Sequence, residues 1–191
     1  MRSADRLIQR WRFRVAAAHV PAGSRILDIG AHDGDLFRYL GARIAPSVGI
    51  DAGISSDGRV GPHVLLAGRF PDRVADGTFD AVTLLAVLEH LEDSALGAFA
   101  AALVRVLRPG GAVVVTMPSP GADGVLRVLW SVRLIDGIDL EAHHGASVGT
   151  VVRSLSGAGL ILRTRRRFEL GFNNLLVFTA PGGPSSEGGR P

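Results

Sequence analysis

A chain of 191 residues, 47% hydrophobic and 20% charged with mean hydropathy +0.26, suits one domain and can bury a sizeable core, which excludes a chain disordered throughout. With no cysteine, disulfides, a thiol nucleophile and a thiolate-held metal are excluded, and zinc would have to draw on six histidines and the carboxylates. All 21 cations are arginine, so the pI of 10.8 reflects the lack of lysine rather than the modest net charge of +3, and is no sign of nucleic-acid binding.

Residues 4–19 read as a helix, with Leu7, Ile8, Trp11, Val15 and Ala18 on one face and Arg2, Arg6, Arg10 and Arg14 at i,i+4 spacing on another. Pro21-Ala-Gly stops it. Short apolar runs then alternate with helical or loop segments. Strands are expected at 25–29, 48–50, 64–67, 79–85 and 112–116, with helices at 36–40 and, alanine-rich, at 95–107. Strands that are apolar almost throughout imply a parallel sheet covered on both faces. The rhythm changes after Ser119, where an apolar segment, Val125 to Ile135, carries Trp130 and two arginines. A loop at 136–145, a helix at 147–156 and strands at 160–168 and 175–179 follow. Residues 181–191 are rich in Gly, Pro and Ser and read as a disordered tail. No apolar run approaches the ~20 residues that span a bilayer, and no continuous apolar region follows the arginine-rich start; a cytoplasmic protein is expected.

The chemistry-bearing stretch is Ile26-Leu-Asp-Ile-Gly-Ala-His-Asp-Gly34, a buried strand ending in an acid, then a turn bracketed by glycines, then a helix. Glycines let backbone amides approach a ligand, and the helix start adds partial positive charge. The G-x-x-x-G spacing lacks the second glycine of a dinucleotide fingerprint, and Asp28 precedes the turn where a carboxylate favours an ammonium group over a pyrophosphate. The second strand, Val48-Gly-Ile-Asp51, again ends in an acid, placed to accept bonds from ribose hydroxyls.

In this order these residues resemble the class I S-adenosylmethionine-dependent methyltransferases, particularly the small-molecule group. The likeness continues through Gly68-Arg-Phe-Pro71, Phe79-Asp-Ala-Val-Thr-Leu-Leu-Ala-Val-Leu-Glu-His-Leu91, Arg105-Val-Leu-Arg-Pro-Gly-Gly111 and Ala112-Val-Val-Val-Thr-Met-Pro-Ser-Pro120, and more weakly through 141–145 and 168–178. The resemblance implies an α/β, Rossmann-like seven-stranded sheet in order 3-2-1-4-5-7-6, strand 7 antiparallel, with helices on both faces. It implies S-adenosyl-L-methionine as cofactor. Asp28, Gly30, Ala31, His32 and Gly34 would hold the methionine moiety, Asp51 the ribose, Ala52 and Phe70 the adenine, and Leu85 would lie at the sulfonium end. Residues 1–20 would form an arginine-striped helix, 21–180 the methyltransferase domain and 121–146 a substrate lid.

Three departures bear on the site. His32 stands where the family has its middle glycine, Arg69 where it often has an acid for the adenine amino group, and the 52–62 link is at or under the ~12 residues of a helical crossover, implying a turn there. Methyl transfer is mainly alignment, but a hydroxyl acceptor would gain from a base, for which His143, His144 and His90 are candidates. Glu89, His90, Glu141 and His143 could converge on a metal, but their spacing carries no ligand signature and none is expected. The expected partner is a small-molecule methyl acceptor rather than nucleic acid; the apolar segment with Trp130 fits a hydrophobic acceptor and simple core packing equally well, and contact to an anionic membrane surface through the arginine stripe is the weaker reading. The alternative to an enzyme is a silent relative acting as a partner or regulatory subunit, which His32 and Arg69 would favour.

Overall fold

The computed structural model describes residues 3–119 and 146–182, with side chains from Ile8 onward. In chain order these form α1 (Ser3–Ala17), β1 (Ile26–Ile29), α2 (Asp35–Leu40), β2 (Val48–Asp51), β3 (Gly58–Val60), β4 (His63–Ala67), β5 (Phe79–Leu85), α3 (Leu96–Val106), β6 (Leu107–Pro118), α4 (Val148–Gly157), β7 (Ile161–Phe168) and β8 (Asn173–Thr179). The strands make one sheet in order β3-β4-β2-β1-β5-β6-β8-β7. β4, β2, β1, β5 and β6 run parallel, and β8 lies antiparallel to both β6 and β7. With β3 set aside, this is the expected order, including the reversed last strand. The expectation corrected is the strand count, eight rather than seven.

The extra strand has a local cause. The link between β2 and β4 is too short for a helix, and it folds instead into a hairpin whose arm β3 pairs antiparallel with β4 at the sheet edge. Asp57 pins it, accepting the Ala67 N–H at 2.9 Å and both Nη groups of Arg73 at 2.9 and 2.6 Å. That guanidinium holds the Asp57 carboxyl at about 2. At the other edge, Arg163, Arg165, Arg166 and Arg167 stand exposed along β7, where charge discourages pairing with another chain.

Alternation along the buried strands sorts the core into two layers. Leu27, Ile29, Val82, Leu84, Val113, Val115, Leu176 and Phe178 face α3 and α4. Ile26 and Ala81 pack with Ala17, Leu36, Phe37 and Leu40 of α1 and α2, while Val114, Leu175 and Val177 pack under Val15 and Ala16. Asp28, Thr83, Leu85, Thr116 and Asn173 have the parity of this second layer. One end of the sheet's α1 face therefore carries most of its polar side chains, at the carboxyl ends of the parallel strands. Among the described residues no helix is long and apolar enough to cross a membrane.

Candidate functional site

The loop after β1 turns through left-handed backbone at Gly30 (φ 80), His32 (φ 44) and Gly34 (φ 76), the last capping α2. Glycine is required at Gly30 twice over: a Cβ there would lie 2.6 Å from Val87 Cγ2. Gly49 meets the same constraint from the next strand, where a Cβ would lie 2.6 Å from that of Ala31. These close approaches set the β1 loop directly on β2. Asp51 fixes it there: its Oδ2 accepts the His32 N–H at 2.8 Å and its Oδ1 the Gly53 N–H at 2.6 Å. Each oxygen keeps a further lone pair for a ligand hydroxyl.

Asp28 is 4% exposed, and its Oδ1 accepts the Thr83 hydroxyl at 2.6 Å. Burial pushes its carboxyl up to about 7; the Thr83 bond opposes the shift and the nearby Asp51 charge adds to it. A carboxylate held this way, with no cation bonded to it among the described residues, is suited to an incoming ammonium group.

Asp28, Gly30, Ala31, His32 and Leu85 line one crevice, roofed by Gln9, Arg12 and Phe13 of α1 and closed by Asp35 and Leu36. Gln9 reaches Asp35 Oδ2 at 3.5 Å, tying the roof to the start of α2. The His32 imidazole is 78% exposed, with Nδ1 3.3 Å from Asp33 Oδ1, so it does not fill the crevice. Ala52 and Arg69 are exposed, and the Phe70 ring packs edge-on to Phe99 at 5.0 Å, against the α3 layer. Neither Phe70 nor Ala52 is among the residues that line this crevice.

Beyond Leu85, Ala86 takes a strained φ of 62, and the turn Leu88–His90 follows, with Glu89 buried and His90 exposed. Across the edge, Glu169 and Leu170 have successive positive φ values of 50 and 54, strain of the kind stored at functional positions. Glu169 is buried, and its Oε2 accepts the Asn173 amide. Burial raises the Glu169 carboxyl, and the Arg12 charge lowers it in part. Four buried polar atoms here make no hydrogen bond: Arg12 Nε, Thr116 Oγ1, Glu169 Oε1 and Asn173 Oδ1. His143, His144 and Glu141 lie outside the described residues, as does the expected lid at 121–146 apart from Ala146. Among the described residues no group of three or more histidines and carboxylates is placed to hold a metal.

Sequence reasoning passed over Arg12, Thr83 and Glu169. A legible signal existed for each: Arg12 falls three residues before Val15 on the inward side of an amphipathic helix, Thr83 interrupts an apolar strand, and Glu169 follows the end of one.

A family model described as a methyltransferase domain matches residues 2–147. Ubiquinone biosynthesis O-methyltransferases from Aromatoleum aromaticum and Dechloromonas aromatica are each 34% identical over 102 residues, which is 48% of this chain and 43% of theirs. The chain therefore matches less than half the length of these curated relatives. A chain from the complex of the Haloferax volcanii Trm112 methyltransferase activator with its methyltransferase superposes with TM-score 0.70 at 16% identity, covering 91% of both. The 1,6-didemethyltoxoflavin-N1-methyltransferase of Burkholderia thailandensis, solved with S-adenosylhomocysteine, gives 0.65 at 14% identity, covering 90% of this chain and 77% of that one. At such identities the superpositions show the fold.

Proposed function

Because the chain belongs to the methyltransferase-domain family, we propose that it transfers a methyl group from S-adenosylmethionine to the oxygen of a small, apolar, hydroxyl-bearing molecule. The observation that carries the reading is the pair of carboxylates at adjacent strand tips: Asp28, buried and bonded to no cation among the described residues, and Asp51, locked to the β1 loop by the His32 N–H. When bound, the cofactor supplies an electrophilic methyl on a sulfonium sulfur.

In this reading Asp28 binds the ammonium of the methionine moiety and Asp51 the ribose hydroxyls, with the turn from Gly30 to Gly34 giving the backbone close approach. Ala52 and Phe70 are left as a thinner adenine wall, Arg69 providing no acid there. Leu85 and the α1 roof exclude water at the sulfonium end, where displacement depends on alignment, for which effective molarities of ~10⁵ M or more are attainable. His90, on the turn beyond Leu85, and His143 and His144 are candidate bases for a hydroxyl proton, a role that contributes roughly 10² to 10⁴-fold. The names of the 34% identical relatives support oxygen as the acceptor atom. The silent-partner reading leaned on His32 and Arg69; the exposed His32 side chain removes the first of those supports, and the family of the chain favours the enzyme over the second.

Calorimetry with S-adenosylhomocysteine tests the reading. Saturable binding that is weakened at least tenfold by Asp51→Ala is expected. No heat up to millimolar ligand would refute it.

A further inference from the structure

We propose that the flank formed by α1 and the free edge of β7 is a docking surface for an anionic lipid bilayer: its arginines meet the headgroups, and Trp11, Ile161 and Leu170 enter the interface. The proposal stands independently of the cofactor reading above.

The first observation is charge. Between Ala146 and Gly182 the chain carries five arginines and a single acid, the buried Glu169, and α1 carries Arg6, Arg10, Arg12 and Arg14 against Asp5 alone. Four arginines elsewhere are neutralised by neighbours: Arg38 by Asp35, Arg73 by Asp57, Arg105 by Asp76 and Arg108 by Asp80. Arg10, Arg14, Arg163, Arg165, Arg166 and Arg167 are all exposed, and none makes an ion pair among the described residues.

The second is that the two halves of the flank adjoin. Val15 and Ala16 of α1 pack with Phe168, Leu175 and Val177 of β7 and β8. Electrostatics ties both ends of this contact. Burial raises the Glu169 carboxyl, just past β7, and the Arg12 charge lowers it in part; burial, and then the Arg166 charge, depress His19, just past α1. α1 therefore runs alongside β7 in the opposite sense, and its arginines extend the row on the strand.

The third is what stands among the charges. Trp11, Ile161 and Leu170 are 45%, 47% and 91% exposed, and of the large apolar side chains exposed among the described residues only Tyr39, on α2, lies off this flank. Leu170 is held outward on the turn that follows the arginine run. Charge alone protects a sheet edge, so edge protection leaves the exposed leucine without a role. A lipid surface accounts for both: headgroup phosphates take the guanidiniums, while apolar tips and a tryptophan suit the boundary with the acyl chains. Nucleic-acid bases would call for aromatic platforms, and the exposed positions of β7 offer none.

The test sediments the full chain with vesicles of phosphatidylcholine alone, or of phosphatidylcholine with about a third phosphatidylserine. Binding at least tenfold tighter to the anionic vesicles at low salt, and lost at about 0.5 M salt, is expected. At about fivefold per arginine, the double variant Arg165→Gln, Arg166→Gln should bind about 25-fold more weakly, whereas Arg105→Gln, off the flank on α3, should change binding less than about twofold. Leu170→Asn, which suits left-handed backbone, should weaken it several-fold. Circular dichroism spectra matching the wild type show that the variants fold. Equal losses from Arg105→Gln and from the β7 pair would reduce the effect to net charge and overturn the proposal. So would binding that Leu170→Asn leaves untouched, or no binding to anionic vesicles at low salt. A chain that ignored those vesicles but retained a random single-stranded oligonucleotide would give the flank to nucleic acid instead.

Discussion

Asp28→Asn separates what the site needs from what the fold prefers. The Asp28 carboxyl is raised from the ordinary 3.8 to about 7, first by burial. The folded chain therefore keeps a proton that the unfolded chain releases once the pH passes 3.8. Its stability contribution is undiminished below that value, falls as the pH rises towards 7 and is constant above. At ~1.4 kcal/mol per pH unit, the interval caps the loss at about 4 kcal/mol. An asparagine cannot ionise and keeps an oxygen for the Thr83 hydroxyl, but it buries an amide N–H₂ at a cost of about 1–3 kcal/mol. The variant should gain about 2 kcal/mol over the unliganded wild type near pH 8 and be about 1–3 kcal/mol less stable than it near pH 4. Urea unfolding at the two pH values measures this. A variant no more stable than the wild type near pH 8, or a gain that persists at pH 4, would show that burial does not govern the charge of Asp28. The same variant should bind S-adenosylhomocysteine at least tenfold more weakly, so that a gain in stability accompanies a loss of binding.

Three further outcomes follow from the same geometry. In the wild type, a bound ammonium favours ionised Asp28, so S-adenosylhomocysteine affinity should rise by up to about tenfold per unit as the pH approaches 7 from below and then level off; Asp28→Asn should abolish that slope in calorimetry run across the range. Gly30→Ala forces a Cβ to 2.6 Å from Val87 Cγ2 at φ 80, and should lower the urea midpoint by an amount equivalent to about 1–3 kcal/mol; an unchanged midpoint would mean that the β1 loop yields freely. His32→Gly relieves a left-handed non-glycine residue whose imidazole is solvent-exposed, and should raise stability by roughly 1 kcal/mol while changing S-adenosylhomocysteine affinity less than about threefold; a large gain in affinity would revive obstruction by the imidazole.

The sequence alone determined the sheet, because strands buried on both faces must be apolar throughout and the links between them set which can be parallel. It also located Asp28 and Asp51 at neighbouring strand tips, since an acid that ends such a strand before a tight turn stands at the carboxyl edge of the sheet whatever the remainder does. Leu85 also ends a buried strand and lines the crevice, but its inclusion among the candidate site residues rests on the family resemblance. The residues that became visible only in three dimensions are those brought in from elsewhere in the chain. Arg12 reaches the crevice because Val15 and Ala16 seat α1 on β6 and β8, strands about a hundred residues or more away, and no local pattern records that docking. Thr83 meets Asp28 through the register of β1 against β5, and Glu169 reaches the same edge because β8 reverses. The effect of His32 was likewise undecidable from residue identity, because a side chain that could block a crevice or stand in solvent is assigned by one backbone φ, and that angle is set by the bond from its N–H to Asp51. Local chemistry fixes which groups end a strand, whereas long-range packing decides which of them face one another.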